Sequence, residues 1–283
     1  MKKWELFIFL TAAIASTWFI KFILHFPTAD ISIIGVILSI SSILFGLLAG
    51  FFFSELWQRY TEIRSLQSER SSAGLMLVTL ATHFFNNKKF EKDFIQRMEN
   101  TAIADETILW DEGDFEEQYY HEVAKSFELI NVKNEKDAQY FAAMLNYSYT
   151  YSMDTIKADV LYKERLSSIE WLLFTFLSFI IVISVLLLDV SQMLYSVIVL
   201  TFPGVIFLTL SIIYGLNIIS WSRNLITLEP NQVIFDALKV PRFYVQRNKD
   251  LIPSYIKNFR TEQTLRGEAK RTFDAVISKR KRE

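Results

Sequence analysis

The residues of this chain that could do chemistry fall into three sets: a run of carboxylates, a helix face of small residues, and scattered histidines. Asp105, Glu106, Asp111, Glu112, Asp114, Glu116, Glu117 and Glu122 lie within 18 residues, with no Lys or Arg among them. Hard oxygen ligands at that density can bind Ca²⁺, and Asp111-Glu112-Gly113-Asp114 is the turn best suited to it. The spacing lacks the fixed ligand offsets of an EF-hand loop, so the plainer reading is a solvated acidic loop. A third reading is electrostatic. Repeated around an oligomer axis, Asp111, Glu112, Asp114, Glu116 and Glu117 would form a negative ring that attracts cations. His25, His83 and His121 are far apart in sequence, and the chain has no cysteine. There is no His-Glu-x-x-His, no Gly-x-Ser-x-Gly and no phosphate loop, so no enzyme chemistry and no cofactor is expected.

Gly35, Ser39, Ser42, Gly46 and Gly50 recur every three or four residues, so they share one side of a helix. Small residues at this spacing usually let helices approach closely. The same side could instead line a narrow pore, but spacing alone favours close packing. An adjoining face carries Ser39, Ile43 and Leu47, each four apart. Around a symmetry axis Ile43 and Leu47 would form apolar rings that gate by dewetting. Their plain alternative is ordinary aliphatics facing lipid or another helix.

The elements that hold these residues follow from the apolar pattern. Hydrophobic residues make up 51% of the 283, yet 22% are charged, so the two kinds must be segregated along the chain. Four apolar runs approach or exceed the roughly 20 helical residues that a hydrocarbon core requires. They are 4–26, 31–53, 170–188 and 193–219. Turns at Pro27-Thr28-Ala29-Asp30 and Asp189-Val190-Ser191-Gln192 join them into two hairpins. Met1-Lys2-Lys3 and Ala13-Ile14-Ala15 faintly resemble a signal peptide, but the apolar run continues to Phe26, which favours a retained span. Of the thirty Lys and Arg, three precede the first turn, thirteen lie between the second and third runs, fourteen follow the fourth, and neither turn has one. The positive-inside rule therefore places both termini and the long central segment in the cytoplasm of a multi-pass cell-membrane protein.

The expected divisions are 1–53 and 170–219 for the membrane hairpins, 54–169 for a cytoplasmic helical domain, and 220–283 for a basic C-terminal region. Between Asp114 and Phe202 the chain has neither Gly nor Pro, which favours long helices. The second run has no breaker at its cytoplasmic end and should continue as helix toward His83. A helix from about Asn134 to Ser168 should feed straight into the third run. Pro203 should kink or loosen the fourth. A final charged helix is expected from Ser254 to Lys279, and no strand pattern is evident. The acidic centre and basic tail could attract each other within or between subunits, or the tail could meet anionic lipid. Nucleic acid is not an expected partner.

Ser42, Gly46, Leu56-Trp57-Gln58-Arg59-Tyr60 and Arg64 carry a resemblance to the bestrophins, above all to bacterial bestrophin-like membrane proteins. Counterparts also exist for Ala104-Asp105-Glu106 and Arg165-Leu166. The resemblance implies an all-α fold of four transmembrane helices with long helical cytoplasmic extensions. It also implies a homo-oligomer, a pentamer, passing inorganic ions along an axial pore lined by the second span. Carried onto this chain, the neck face is Ser39, Ile43 and Leu47, with Gly46 and Gly50 beside it; Ser39 departs from the bulkier neck of the family. The rival reading is a membrane-anchored scaffold or sensor whose cytoplasmic helical domain binds a protein partner. No Asp, Glu, Lys or Arg lies inside the second to fourth runs except Glu170 at an edge, which disfavours a proton-coupled transporter.

Overall fold

A computed structural model of the chain describes residues 31–83, 87–111, 123–188, 193–218, 232–245 and 256–280, together with Phe19, Lys21 and Ile252. The described residues are overwhelmingly helical. The helices are α1 (Ile31–His83), α2 (Lys88–Asp111), α3 (Glu135–Lys163), α4 (Ser168–Leu187), α5 (Met193–Asn217), α6 (Gln232–Ala237) and α7 (Gly267–Arg280). Two helices, α1 and α4, are long and apolar enough to cross a membrane, and α5 holds a shorter apolar stretch, Thr201–Asn217. The 4–26 run lies outside the described residues apart from Phe19 and Lys21.

The chain divides into two compact units, one of 1–61 with 164–222 and one of 62–163 with 223–283. Their boundaries fall several residues inside the 54–169 segment drawn from hydropathy. The reason is that Leu56 and Arg59, past the apolar run, still pack within the first unit. The break-free α1 supplies residues to both units, as its lack of helix breakers predicts.

In the first unit, α1 turns Ile34, Phe45, Phe52 and Leu56 inward against Phe174, Leu177, Ile181 and Val185 of α4 and Val199, Ile206 and Ile213 of α5. Phe174 is the pivot. Its ring stacks on Phe45 at 4.7 Å and meets Phe52 edge-on at 5.5 Å. The α5 helix continues through Pro203.

The second unit is built around Phe90, Phe94, Met98 and Ala102, one stripe of α2 at four-residue spacing. Leu77 and Val78 of α1, Met144 and Tyr151 of α3, Ile234 and Phe235 of α6, and Ala269 and Phe273 of α7 close over it. Gly74 of α1 faces this core, and a Cβ there would lie 2.9 Å from Ile234 Cδ1 and 3.2 Å from Met98 Cε. Any larger residue there must push the Ile234 and Met98 side chains aside.

Three expectations need correction. The helix from 134 does not run into the 170–188 span: α3 stops at Lys163 and α4 starts at Ser168. Ser167 caps α4, its hydroxyl accepting from the Glu170 N–H at 3.3 Å while the Glu170 carboxylate accepts from Ser167 N–H at 2.6 Å. That reciprocal pair is a capping box, and it starts a new helix instead of continuing the old one. The last helix begins at Gly267, not Ser254, and Gly267 enters it with a left-handed φ of 64°. Before it, Phe259–Arg260 forms a short parallel pair with Arg242–Phe243, where no strand was expected. Two-residue strands leave too little alternation to be read from sequence.

The tail also settles on the acidic centre within one chain: α7 packs along α2, and Arg260 pairs with Glu99 at 2.5 Å.

Candidate functional site

The second apolar run is two-sided. Its inward face is locked by the aromatic contacts described above. Its outward face carries Ser39, Ile43, Gly46, Leu47 and Gly50. Ile43 and Leu47 are 63% and 68% exposed, and Ser39, Gly46 and Gly50 are exposed with them. Ser39 donates its hydroxyl to its own helix, to Gly35 O at 2.7 Å, so it is satisfied without a neighbour. A Cβ built on Gly35, Gly46 or Gly50 would meet nothing within 4 Å. Close helix packing, which the spacing favours, is therefore not found at these glycines among the described residues. Ser42 differs from the rest, being half-buried at the edge of the inward face.

Just past the run, Phe53 and Trp57 stack at 6.0 Å, and Tyr60 tilts against Trp57 at 5.3 Å. Aromatic residues of this kind favour the boundary between hydrocarbon and water. Arg59 points the other way and is buried. Its guanidinium donates to Leu216 O at 3.2 Å and Asn217 O at 2.6 Å, the last carbonyls of α5, and to Glu164 O in the break before α4. Those helix-end carbonyls have no partner inside the helix, and they are the negative end of its dipole. A planar fork with several donors suits this better than an ammonium. Burial lowers the Arg59 pKa, and the neighbouring Glu164 opposes that. Asn217 completes the joint, accepting the Leu166 N–H on Oδ1 at 2.9 Å.

Lys21 plays the matching part at the other end of the hairpin. Its buried ammonium donates to Leu186 O at 2.7 Å and Leu188 O at 2.8 Å, at the C-terminus of α4. The sequence reading used Arg59 only as part of a motif and Lys21 only for orientation. The capping signature Ser167-Ser168-Ile169-Glu170 was visible in the sequence, whereas nothing local marks Arg59 as a cap for residues over 150 positions away.

The acidic run is divided. Asp105 and Glu106 are buried in the second unit. Asp105 pairs with Arg70 at 3.5 Å and accepts the Tyr151 hydroxyl at 2.8 Å, and Glu106 accepts from Gln232 Nε2 at 3.0 Å. Burial, and next the Asp105 charge, raise the Tyr151 pKa well above its usual value, so the phenol stays a donor. These two carboxylates are thus internal struts, not part of a solvated loop. Asp111 ends α2, but its side chain and Glu112, Asp114, Glu116 and Glu117 lie outside the described residues. Among the described residues no group of three or more His, Asp or Glu could hold a metal ion.

No family model, no curated protein and no solved structure matches this chain.

Proposed function

We propose that the chain is a multi-pass membrane protein whose copies assemble around an axis, with the outward face of α1 lining an ion-conducting pore. The observation that carries this reading is the contrast between the two sides of α1. One side is locked by Phe45, Phe52 and Arg59; the other leaves Ile43 and Leu47 mostly bare and, among the described residues, its glycines without close neighbours. A helix so anchored on one side can present a fixed apolar ring on the other. Apolar rings gate by dewetting and hydroxyls such as Ser39 meet water, so the same face supplies both a constriction and a wettable wall. The resemblance of Leu56-Trp57-Gln58-Arg59-Tyr60 to the bestrophins supports a pentamer with both termini in the cytoplasm. Ca²⁺ at the acidic turn belongs to the same proposal.

Purified protein in planar bilayers tests the reading. Unitary currents are expected, and Ile43→Ala and Leu47→Ala should alter their size or open time. Silent bilayers across a range of voltage and Ca²⁺ would leave the scaffold reading in its place.

A further inference from the structure

The α3 helix is apolar on two sides. Met144 and Tyr151 turn into the core of the second unit, and Ala158 is buried on the same side of the helix. On the opposite side Leu145, Tyr149, Ile156 and Val160 are 46%, 65%, 42% and 54% exposed. Their spacings of four, seven and four place them on one stripe, which Ala138 and Ala142 extend toward the helix start. No charged side chain interrupts the stripe from Ala138 to Val160; the nearest charges, Lys157 and Asp159, stand on its flanks. A helix exposed to water on that side would carry its charges there.

We infer that this stripe is a contact seam between copies of the chain. The inference rests on the oligomeric reading above and extends it from the membrane to the water-exposed half. The area argues for a macromolecular cover. The four open side chains expose roughly 400 Å² per copy, the scale at which an apolar patch on a soluble surface marks an interaction site. That is about half of what each partner buries in a standard interface. The outward face of α4, with Leu172 and Phe176 bare, would supply part of the remainder, the Ile43 and Leu47 side of α1 being left to the pore. Lipid does not reach the seam if the 54–169 segment is cytoplasmic, as its Lys and Arg imply. A second copy does reach it. Copies inserted with one topology are related by rotation about the membrane normal, so the stripe of one copy lies at the depth of its neighbour's cytoplasmic unit and meets a different face of it.

The chain lacks cysteine, so single-cysteine labelling reads the seam directly. Tyr149→Cys and Ile156→Cys are compared with Gln139→Cys and Lys157→Cys, exposed positions off the stripe on the same helix. All are made in the full-length protein, and oligomer mass is measured on each sample. In the oligomer a bulky maleimide should label the stripe positions at least tenfold more slowly than the flank positions. Equal rates in a protein that is oligomeric overturn the seam and leave the pore reading standing. A protein that is monomeric throughout overturns both. Stripe protection that persists in a separated monomer fraction assigns the cover to the same chain and also overturns the seam.

Discussion

Replacing Arg59 should loosen the joint between the ends of α4 and α5, and the size of the effect follows from its partners. Its guanidinium serves three carbonyls. Glu164 is exposed, so its carbonyl can be rehydrated, whereas Leu216 and Asn217 are buried. Each buried acceptor left without a donor costs about 1–3 kcal/mol. In Arg59→Met the new side chain keeps much of the packing, and the burial that lowers the Arg59 pKa shows that the charge itself carries a desolvation cost, now removed. The net loss expected is about 2–3 kcal/mol, or roughly 3–5 °C in apparent Tm for a chain of this size. Arg59→Lys keeps a charge at the helix end but not the fork, and should lose about half as much. Two readouts suffice in detergent: thermal unfolding, and the rate at which trypsin cuts after Arg165, which is exposed in the break. Faster cutting should accompany the lower Tm. An Arg59→Met protein with Tm within about 2 °C of the parent and unchanged cleavage would refute the reasoning.

The second unit offers two tests and the first another. Gly74→Leu should destabilise the core by about 2–3 kcal/mol through overpacking against Ile234 and Met98, whereas Gly46→Ala and Gly50→Ala should not destabilise the monomer and should each gain about 0.5–1 kcal/mol from helix propensity. Asp154 is buried, and burial, then the charge of Glu69, raise its pKa above the ordinary 3.8. The stability that depends on its proton is therefore fully present below pH 3.8 and lost as pH rises through the raised value. Asp154→Asn should thus gain Tm relative to the parent as pH climbs from 4 to 8, and a constant difference across that range would count against the assignment. Ser167→Ala should cost about 1 kcal/mol through the lost cap at α4, read as a Tm drop of a few degrees.

How far the sequence could be read depended on the range of the interactions. The long α1 was legible because no Gly or Pro interrupts it between Gly50 and Gly74, and period grouped its small residues on one side, but period favoured close packing there and could not show that side open. The stop at Lys163 was missed because an apolar run downstream outweighed a four-residue capping signature. Asp105 and Glu106 were grouped with a solvated loop because their charge is local, while Arg70, Tyr151 and Gln232, which bury and satisfy them, come from distant elements. Arg59 shows the same limit. Its type and motif were visible, but its three acceptors belong to helix ends brought together only by folding.

The pore reading is tested most directly by one cysteine. With no native thiol to react, Leu47→Cys reconstituted in a planar bilayer presents a single target on the outward face of α1. A charged, membrane-impermeant methanethiosulfonate added during recording should progressively block or alter the current, and a reducing agent should restore it. A current that ignores the reagent, while a thiol assay shows the introduced cysteine unmodified, would place that face in lipid or against another helix and contradict the pore.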